Sequence, residues 1–265
     1  MQISSEDGVS IFCREEGIGP PLLLIHGTSS DGTSWQPIVP MLASAFTVHA
    51  MDRRGHGRSE DGTDYRIEKE YADVRACIDA VSNGTPVNVV AHSYGGLCAL
   101  GAARLTRNIG KLVLFEPPIP TYPQAYYPAD LILRMREALA KDDRDGAMEA
   151  FARGVFRNSD SELAEMRKLA MWPQMARETP KVLRELEAVD SFVLNAGDYR
   201  DADITALLLL GGESPPQYRA TIEALHERLP QSRIGILEGQ QHKAMKTAPA
   251  LFAAKVMEFL TAPSP

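Results

Sequence analysis

The stretch Val89-Val90-Ala91-His92-Ser93-Tyr94-Gly95-Gly96 governs how the rest of the chain is read. An apolar run, Val87–Ala91, leads into it as a buried strand would. The chain then turns on a serine whose neighbours two positions away on either side, Ala91 and Gly95, are small, and a helical pattern rich in small residues follows. A sharp strand-to-helix turn crowds the backbones on both sides, so bulky residues at those flanking positions are excluded. Such a turn aims Ser93 Oγ out of the sheet and offers the backbone N–H groups of the following helix to a developing anion. A Ser/Gly turn that only caps a helix fits the same eight residues, so the context has to decide.

Working outward, seven further β-rich runs are bounded by turn residues: Gln2–Ser5, Val9–Arg14, Leu22–Ile25, Phe46–Met51, Lys111–Phe115, Ala206–Leu210 and Arg233–Leu237. From Leu22 onward they are continuously apolar, as strands buried on both faces of a parallel sheet are. Asp7-Gly8 between the first two predicts a tight antiparallel hairpin. Ile67, Tyr71, Val74, Ile78 and Val81 share one helix face, and Leu97–Arg107 and Pro249–Leu260 also read as helices. The alternation predicts an α/β fold with a mostly parallel eight-stranded sheet, flanking helices and right-handed crossovers. It breaks from Pro117 to about Asp203, where helical segments near 129–141, 144–156, 161–171 and 180–191 predict an inserted helical cap. The expected division is a core of 1–118 and 203–265 and a cap of 119–202.

The 265 residues suit one large domain, or one with an insertion. A hydrophobic share of 44% with 24% charged residues is that of a folded globular chain. The net charge of -7, with no basic block, argues against nucleic acid as a partner. Three cysteines at unrelated spacings form neither a disulfide framework nor a zinc site, and no histidine pair has metal-ligand spacing. No metal or cofactor is therefore expected. Met1–Ser10 lacks a basic and apolar leader, and no apolar run is long enough to span a bilayer, so a cytoplasmic location is the expectation. A homo-oligomer is compatible with the sequence.

Two more motifs give the serine its context. Leu22-Leu23-Leu24-Ile25-His26-Gly27-Thr28 is a strand ending in His-Gly, and Met51-Asp52-Arg53-Arg54-Gly55-His56-Gly57-Arg58-Ser59 is a glycine-rich turn. Together with the elbow, these resemble the α/β-hydrolase superfamily, whose nucleophile motif is G-x-S-x-G, with Ala91 here replacing the first glycine. The resemblance implies that Ser93 is the nucleophile and that the backbone N–H groups of Thr28 and Tyr94 form the oxyanion hole. It implies turn chemistry, not catalysis, for the segment around Asp52. His242, in a glycine-containing loop after the last strand, stands where the family keeps its general base.

The acid departs from the commoner pattern. Relatives usually carry it after the seventh strand, where this chain reads Gly212-Glu213-Ser214-Pro215-Pro216 with proline at the expected position. Glu116 ends the sixth strand instead, an arrangement similar to zearalenone-type lactone hydrolases. Glu116 is the expected acid and Glu213 the reserve.

The resemblance implies a serine hydrolase that cleaves a small carboxylic ester or lactone through an acyl-enzyme. Cofactor-free C–C bond hydrolysis, acyl transfer, and a non-catalytic ligand-binding protein of this fold are the alternatives. Epoxide hydrolases and dehalogenases use an aspartate nucleophile and do not fit Ser93. In the cap, Tyr126 and Trp172 are candidate substrate contacts, set against the plainer reading that they pack the cap's own helices.

Overall fold

Hydrogen bonds from Ser5 N–H to Val9 O and from Gly8 N–H to Ser5 O close the first hairpin, with Gly8 at a φ of 82° that a side chain would strain. This is seen in a computed structural model that describes residues 1–121, 126–195, 197, 199 and 204–263. The hairpin joins β1 (Gln2–Ser4) to β2 (Ser10–Glu16). The remaining strands are β3 (Pro21–Ile25), β4 (Thr47–Met51), β5 (Val87–His92), β6 (Ile109–Phe115), β7 (Thr205–Gly211) and β8 (Ser232–Leu237). Among the described residues they form an eight-stranded sheet in the order β1-β2-β4-β3-β5-β6-β7-β8. β2 runs antiparallel to both β1 and β4, and every other pairing is parallel.

The helices are α1 (Val39–Leu42), α2 (Ile67–Val81), α3 (Tyr94–Ala102), α4 (Leu131–Ala140), α5 (Arg144–Gly154), α6 (Asp160–Arg167), α7 (Trp172–Arg177), α8 (Thr179–Ser191), α9 (Pro216–His226), α10 (Ala244–Thr247) and α11 (Pro249–Thr261). Two compact units result, one of residues 1–119 with 194–265 and one of residues 120–193. The expected boundary at 202/203 lies outside the described residues.

Alternation sorts the first unit's core. Leu22 and Leu24 of β3, Val113 and Phe115 of β6, and Leu207 and Leu209 of β7 pack with Trp35, Phe252, Val256 and Phe259 on one face of the sheet. Every residue of α3 is buried, as its composition of Gly, Ala, Leu and Cys suits. Gly101 faces the Tyr71 ring so closely that a Cβ would overlap it. Lys111 Nζ donates to the carbonyls of Phe259 (3.1 Å), Leu260 (3.2 Å) and Ala262 (2.5 Å), which fastens the end of α11 to β6.

The structure corrects the sequence reading at several points. β8 is an edge strand, with Ile234 and Ile236 exposed, so an apolar run there does not mean burial on both faces. The helix expected over 161–171 ends at Arg167, and α7 begins at Trp172 with Pro173 in its first turn, a position proline tolerates.

The buried side of α2 also carries charge. Glu70 and Asp73, three residues apart, face Arg53 and Arg54, and all four side chains are at most 1% exposed. Arg53 Nη1 meets Glu70 at 2.8 Å and Arg54 Nη2 meets Asp73 at 2.8 Å, with Arg54 Nη1 reaching on to Asp7 at 2.9 Å. Removing one member of such a buried pair costs about 3–5 kcal/mol, because it strands the other charge. The three cysteines are buried free thiols, and Cys13 Sγ lies 3.8 Å from Cys77 Sγ.

The second unit has its own core of Leu131, Met135, Met148, Phe151, Leu163 and Trp172 with the helices around them. A capping box at Ser159 and Glu162 starts α6, satisfying two helix-end donors reciprocally.

Candidate active site

Ser93 stands between β5 and α3 with φ 52° and ψ −127°, a strained conformation for a non-glycine residue. The turn is over-determined. Ser93 N–H donates to Phe115 O at 2.9 Å, continuing the β5–β6 ladder one residue past the strand. A Cβ on Gly95 would collide with His26 O and Ile25 O, and one on Gly96 would come within 2.8 Å of Pro117 Cβ. The need for small residues after the serine thus comes from the β3 and β6 strand ends crowding α3.

The His-Gly loop closes on the same turn. A Cβ on Gly27 would stand 2.8 Å from Ser93 Cβ, so the backbone before Thr28 lies against the elbow. Ser29, next in the chain, has φ 54°, a second strained residue at this place.

Glu116 is the third. It has φ 48° and is fully buried at the end of β6. Its Oε1 accepts the Gly211 N–H of β7 at 2.8 Å, and its Oε2 lies 2.6 Å from His242 Nδ1. That contact sets the tautomer with the proton on Nδ1 and leaves Nε2 as an acceptor. Glu213 is exposed and forms no ion pair among the described residues, and Pro215 opens α9. Of the two candidate acids, Glu116 is the one in contact with His242.

His242 is gripped on several sides. The Tyr218 ring stacks on it at 4.7 Å and 30°, and the His92 ring lies 4.5 Å away. His92 Nε2 is 2.8 Å from His242 O, and since a carbonyl only accepts, His92 donates. Burial and the neighbouring His242 push His92 well below the usual histidine range, so it is neutral at physiological pH. This bond ties the histidine loop to the residue before Ser93. No hydrogen bond joins Ser93 Oγ to His242 among the described residues, and such bonds often tighten only once substrate is bound.

Asp52 behaves as turn chemistry. Its carboxylate accepts Gly32 N–H at 2.7 Å and Arg58 N–H at 2.8 Å, and its carbonyl accepts Ser59 Oγ at 2.6 Å. Both cap candidates belong to the second unit. Trp172 is 6% exposed in that unit's core, with its indole N–H on Asp145 Oδ1 at 2.7 Å. Tyr126 packs edge-to-face on Tyr127 at 5.0 Å. No group of three His, Cys, Asp or Glu side chains among the described residues is placed to hold a metal ion, and no described helix is long and apolar enough to cross a membrane.

Sequence reasoning missed Tyr218 and the role of His92. His92 was visible beside the serine, but a partner 150 residues away was not. Tyr218 carries no motif and reaches His242 only through the packing of α9.

A strained serine on a β5–α3 elbow, a facing His-Gly loop and a histidine–carboxylate pair on a mostly parallel sheet define a hydrolase of the α/β class. Residues 22–255 match the alpha/beta hydrolase family, and the chain belongs to it. It is 31% identical to an alpha/beta hydrolase of known structure from Sphaerobacter thermophilus, covering 98% of this chain and 100% of that one with a TM-score of 0.83. It is 24% identical over 259 residues to the (E)-2-((N-methylformamido)methylene)succinate hydrolase of Acinetobacter baylyi, which covers 94% of this chain and 92% of that protein. An esterase from Rhodococcus sp. ECU1013 shares the fold at 23% identity and a TM-score of 0.78, covering 100% of this chain and 99% of that one.

Proposed function

We propose that this hydrolase cleaves a carboxylic ester or lactone through an acyl-enzyme, with Ser93 as nucleophile, His242 as general base and Glu116 as the orienting acid. The observation that carries the reading is the 2.6 Å contact between His242 Nδ1 and Glu116 Oε2, held beside a strained Ser93. Ser93 Oγ attacks the acyl carbon while its proton passes to His242 Nε2. The oxyanion that forms is met by the N–H groups of Thr28 and Tyr94. The imidazolium, stabilised by Glu116, then protonates the departing alkoxide, which leaves Ser93 acylated. Water attacks the acyl carbon, giving a proton to His242, and the acid is released as Oγ regains its proton. No step requires an external cofactor.

Labelling with a fluorophosphonate, followed by peptide mapping, tests the nucleophile. A panel of p-nitrophenyl esters and lactones then tests the substrate class. Labelling of Ser93 with turnover on that panel is the expected result, and an unlabelled, inactive protein sinks the proposal.

A second reading follows from the Acinetobacter baylyi relative, which is named for a substituted methylenesuccinate. That compound belongs on the panel, and a kcat/KM for it far above every ester and lactone would replace the ester reading while keeping the site.

A further inference from the structure

The peptide joining Gly27 to Thr28 is held by its carbonyl. Arg53 Nη2 donates to Gly27 O at 3.3 Å, and Arg53 Nε donates to His26 O at 3.0 Å. His26 Nε2 accepts the Arg53 backbone N–H at 3.0 Å, so its ring proton is on Nδ1, which lies 2.8 Å from Gly27 O and donates to it. Two donors therefore converge on one carbonyl oxygen. In a trans peptide the C=O and N–H point opposite ways. Fixing Gly27 O toward Arg53 and His26 aims the Thr28 N–H away from them.

Arg53 is held in turn. Its Nη1 meets both carboxylate oxygens of Glu70, at 2.8 Å and 2.9 Å, and both side chains are fully buried. The guanidinium carbon lies 4.8 Å from the centroid of the Tyr94 ring. Tyr65 OH donates to Glu70 Oε1 at 2.8 Å and stands 2.6 Å from Tyr94 OH. The same ion pair thus touches the peptide that carries the Thr28 N–H and the side chain of the residue that carries the second N–H.

We infer that Arg53, fixed by Glu70, is a positioning residue that preorganises both oxyanion donors, setting the Gly27–Thr28 peptide through its carbonyl and Tyr94 through its ring. The inference rests on the serine-hydrolase reading above. Preorganised donors stabilise charge without reorganising, which is where most of their catalytic value lies. A merely structural ion pair would lower stability and leave the folded enzyme's kcat intact.

The test uses Arg53→Lys, which keeps a cation beside Glu70 but lacks the fork that reaches His26 O and Gly27 O together. Thermal unfolding, kcat and KM for p-nitrophenyl butyrate, and inhibition by phenylboronic acid, whose serine adduct is a tetrahedral anion, are measured with wild type alongside. In the folded variant, kcat is expected to fall on the order of 10²-fold, as when one oxyanion donor is lost, with KM changed by less than about threefold. Boronate affinity is expected to weaken in step with kcat. If Arg53→Lys does not fold, the double variant Arg53→Met/Glu70→Met carries the same readouts, because it leaves no buried charge unpaired. Wild type labelled by fluorophosphonate at Ser93, combined with a folded variant of unchanged kcat and boronate affinity, overturns this inference alone. Wild type unlabelled at Ser93 overturns the serine-hydrolase reading and this inference with it.

Discussion

Gly211 N–H donates to Glu116 Oε1 at 2.8 Å, so the end of β7 holds a carboxylate that belongs to β6. The strand after which the family resemblance places the usual acid here supplies a backbone donor to the carboxylate at the end of its neighbour. The second carboxylate oxygen is left for His242 Nδ1 at 2.6 Å. The Glu116 backbone, at φ 48°, is strained in the way functional residues often are.

Glu116→Gln keeps the shape and removes the charge. It should lower kcat by about 10⁴-fold if this pair behaves as other triads do, while Glu213→Gln stays within a few-fold of wild type. Steady-state kinetics with circular dichroism as a folding control checks this. A crippled Glu213→Gln beside a near-normal Glu116→Gln would reverse the assignment.

Ser93→Ala should abolish fluorophosphonate labelling and reduce kcat on the order of 10⁶-fold. Intact-mass spectrometry reads the adduct directly. Turnover that survives the substitution at more than a few per cent would remove Ser93 from the reaction.

His92 makes the stability of the fold depend on pH. Its folded value is pushed down by burial and then by His242, so below about pH 6.5 the unfolded chain takes up a proton that the folded one does not. The stabilisation is present above that pH and is lost as pH falls toward the folded value, at up to about 1.4 kcal/mol per pH unit for one proton. Urea unfolding of wild type and His92→Gln between pH 5 and 7.5 should show a shallower slope for the variant. Parallel curves would mean that His92 charges in the folded state.

Asp7 acts at lower pH. The hydrogen bond from Arg54 holds its carboxyl down at about 2, against an opposing push from burial. Asp7 therefore stabilises the fold fully above the unfolded carboxyl value of about 3.9, and loses that contribution as pH falls toward 2. The stability gap between wild type and Asp7→Asn should be constant from pH 5 to 7 and should shrink between pH 4 and 2. With the Asp7 side chain 29% exposed, solvent screening keeps the gap modest.

The elbow, the His-Gly strand end and the strand–helix alternation were legible in the sequence because each rests on local chemistry. A strained turn needs small neighbours, a doubly buried strand needs an unbroken apolar run, and a helix face needs its 3.6-residue period. Glu116 was also legible as the expected acid, with Glu213 in reserve, because a proline fills the usual position after the seventh strand and Glu116 ends the sixth. What the sequence could not show is the contact of Glu116 with His242, 126 residues further on.

Other features exist only in three dimensions. The antiparallel pairing of β2 with β4, the donation from His92 to His242 O, the Tyr218 ring on His242 and the burial of Arg53 and Arg54 against Glu70 and Asp73 all join distant segments. In the sequence, Arg53-Arg54 reads as part of a turn, and nothing local marks Glu70 or Asp73 as the partners of these arginines. Period and composition record what a residue needs from its immediate neighbours. They carry no record of which distant group will satisfy a buried charge or fix an imidazole, because those partners are chosen when the strands are ordered and the helices packed.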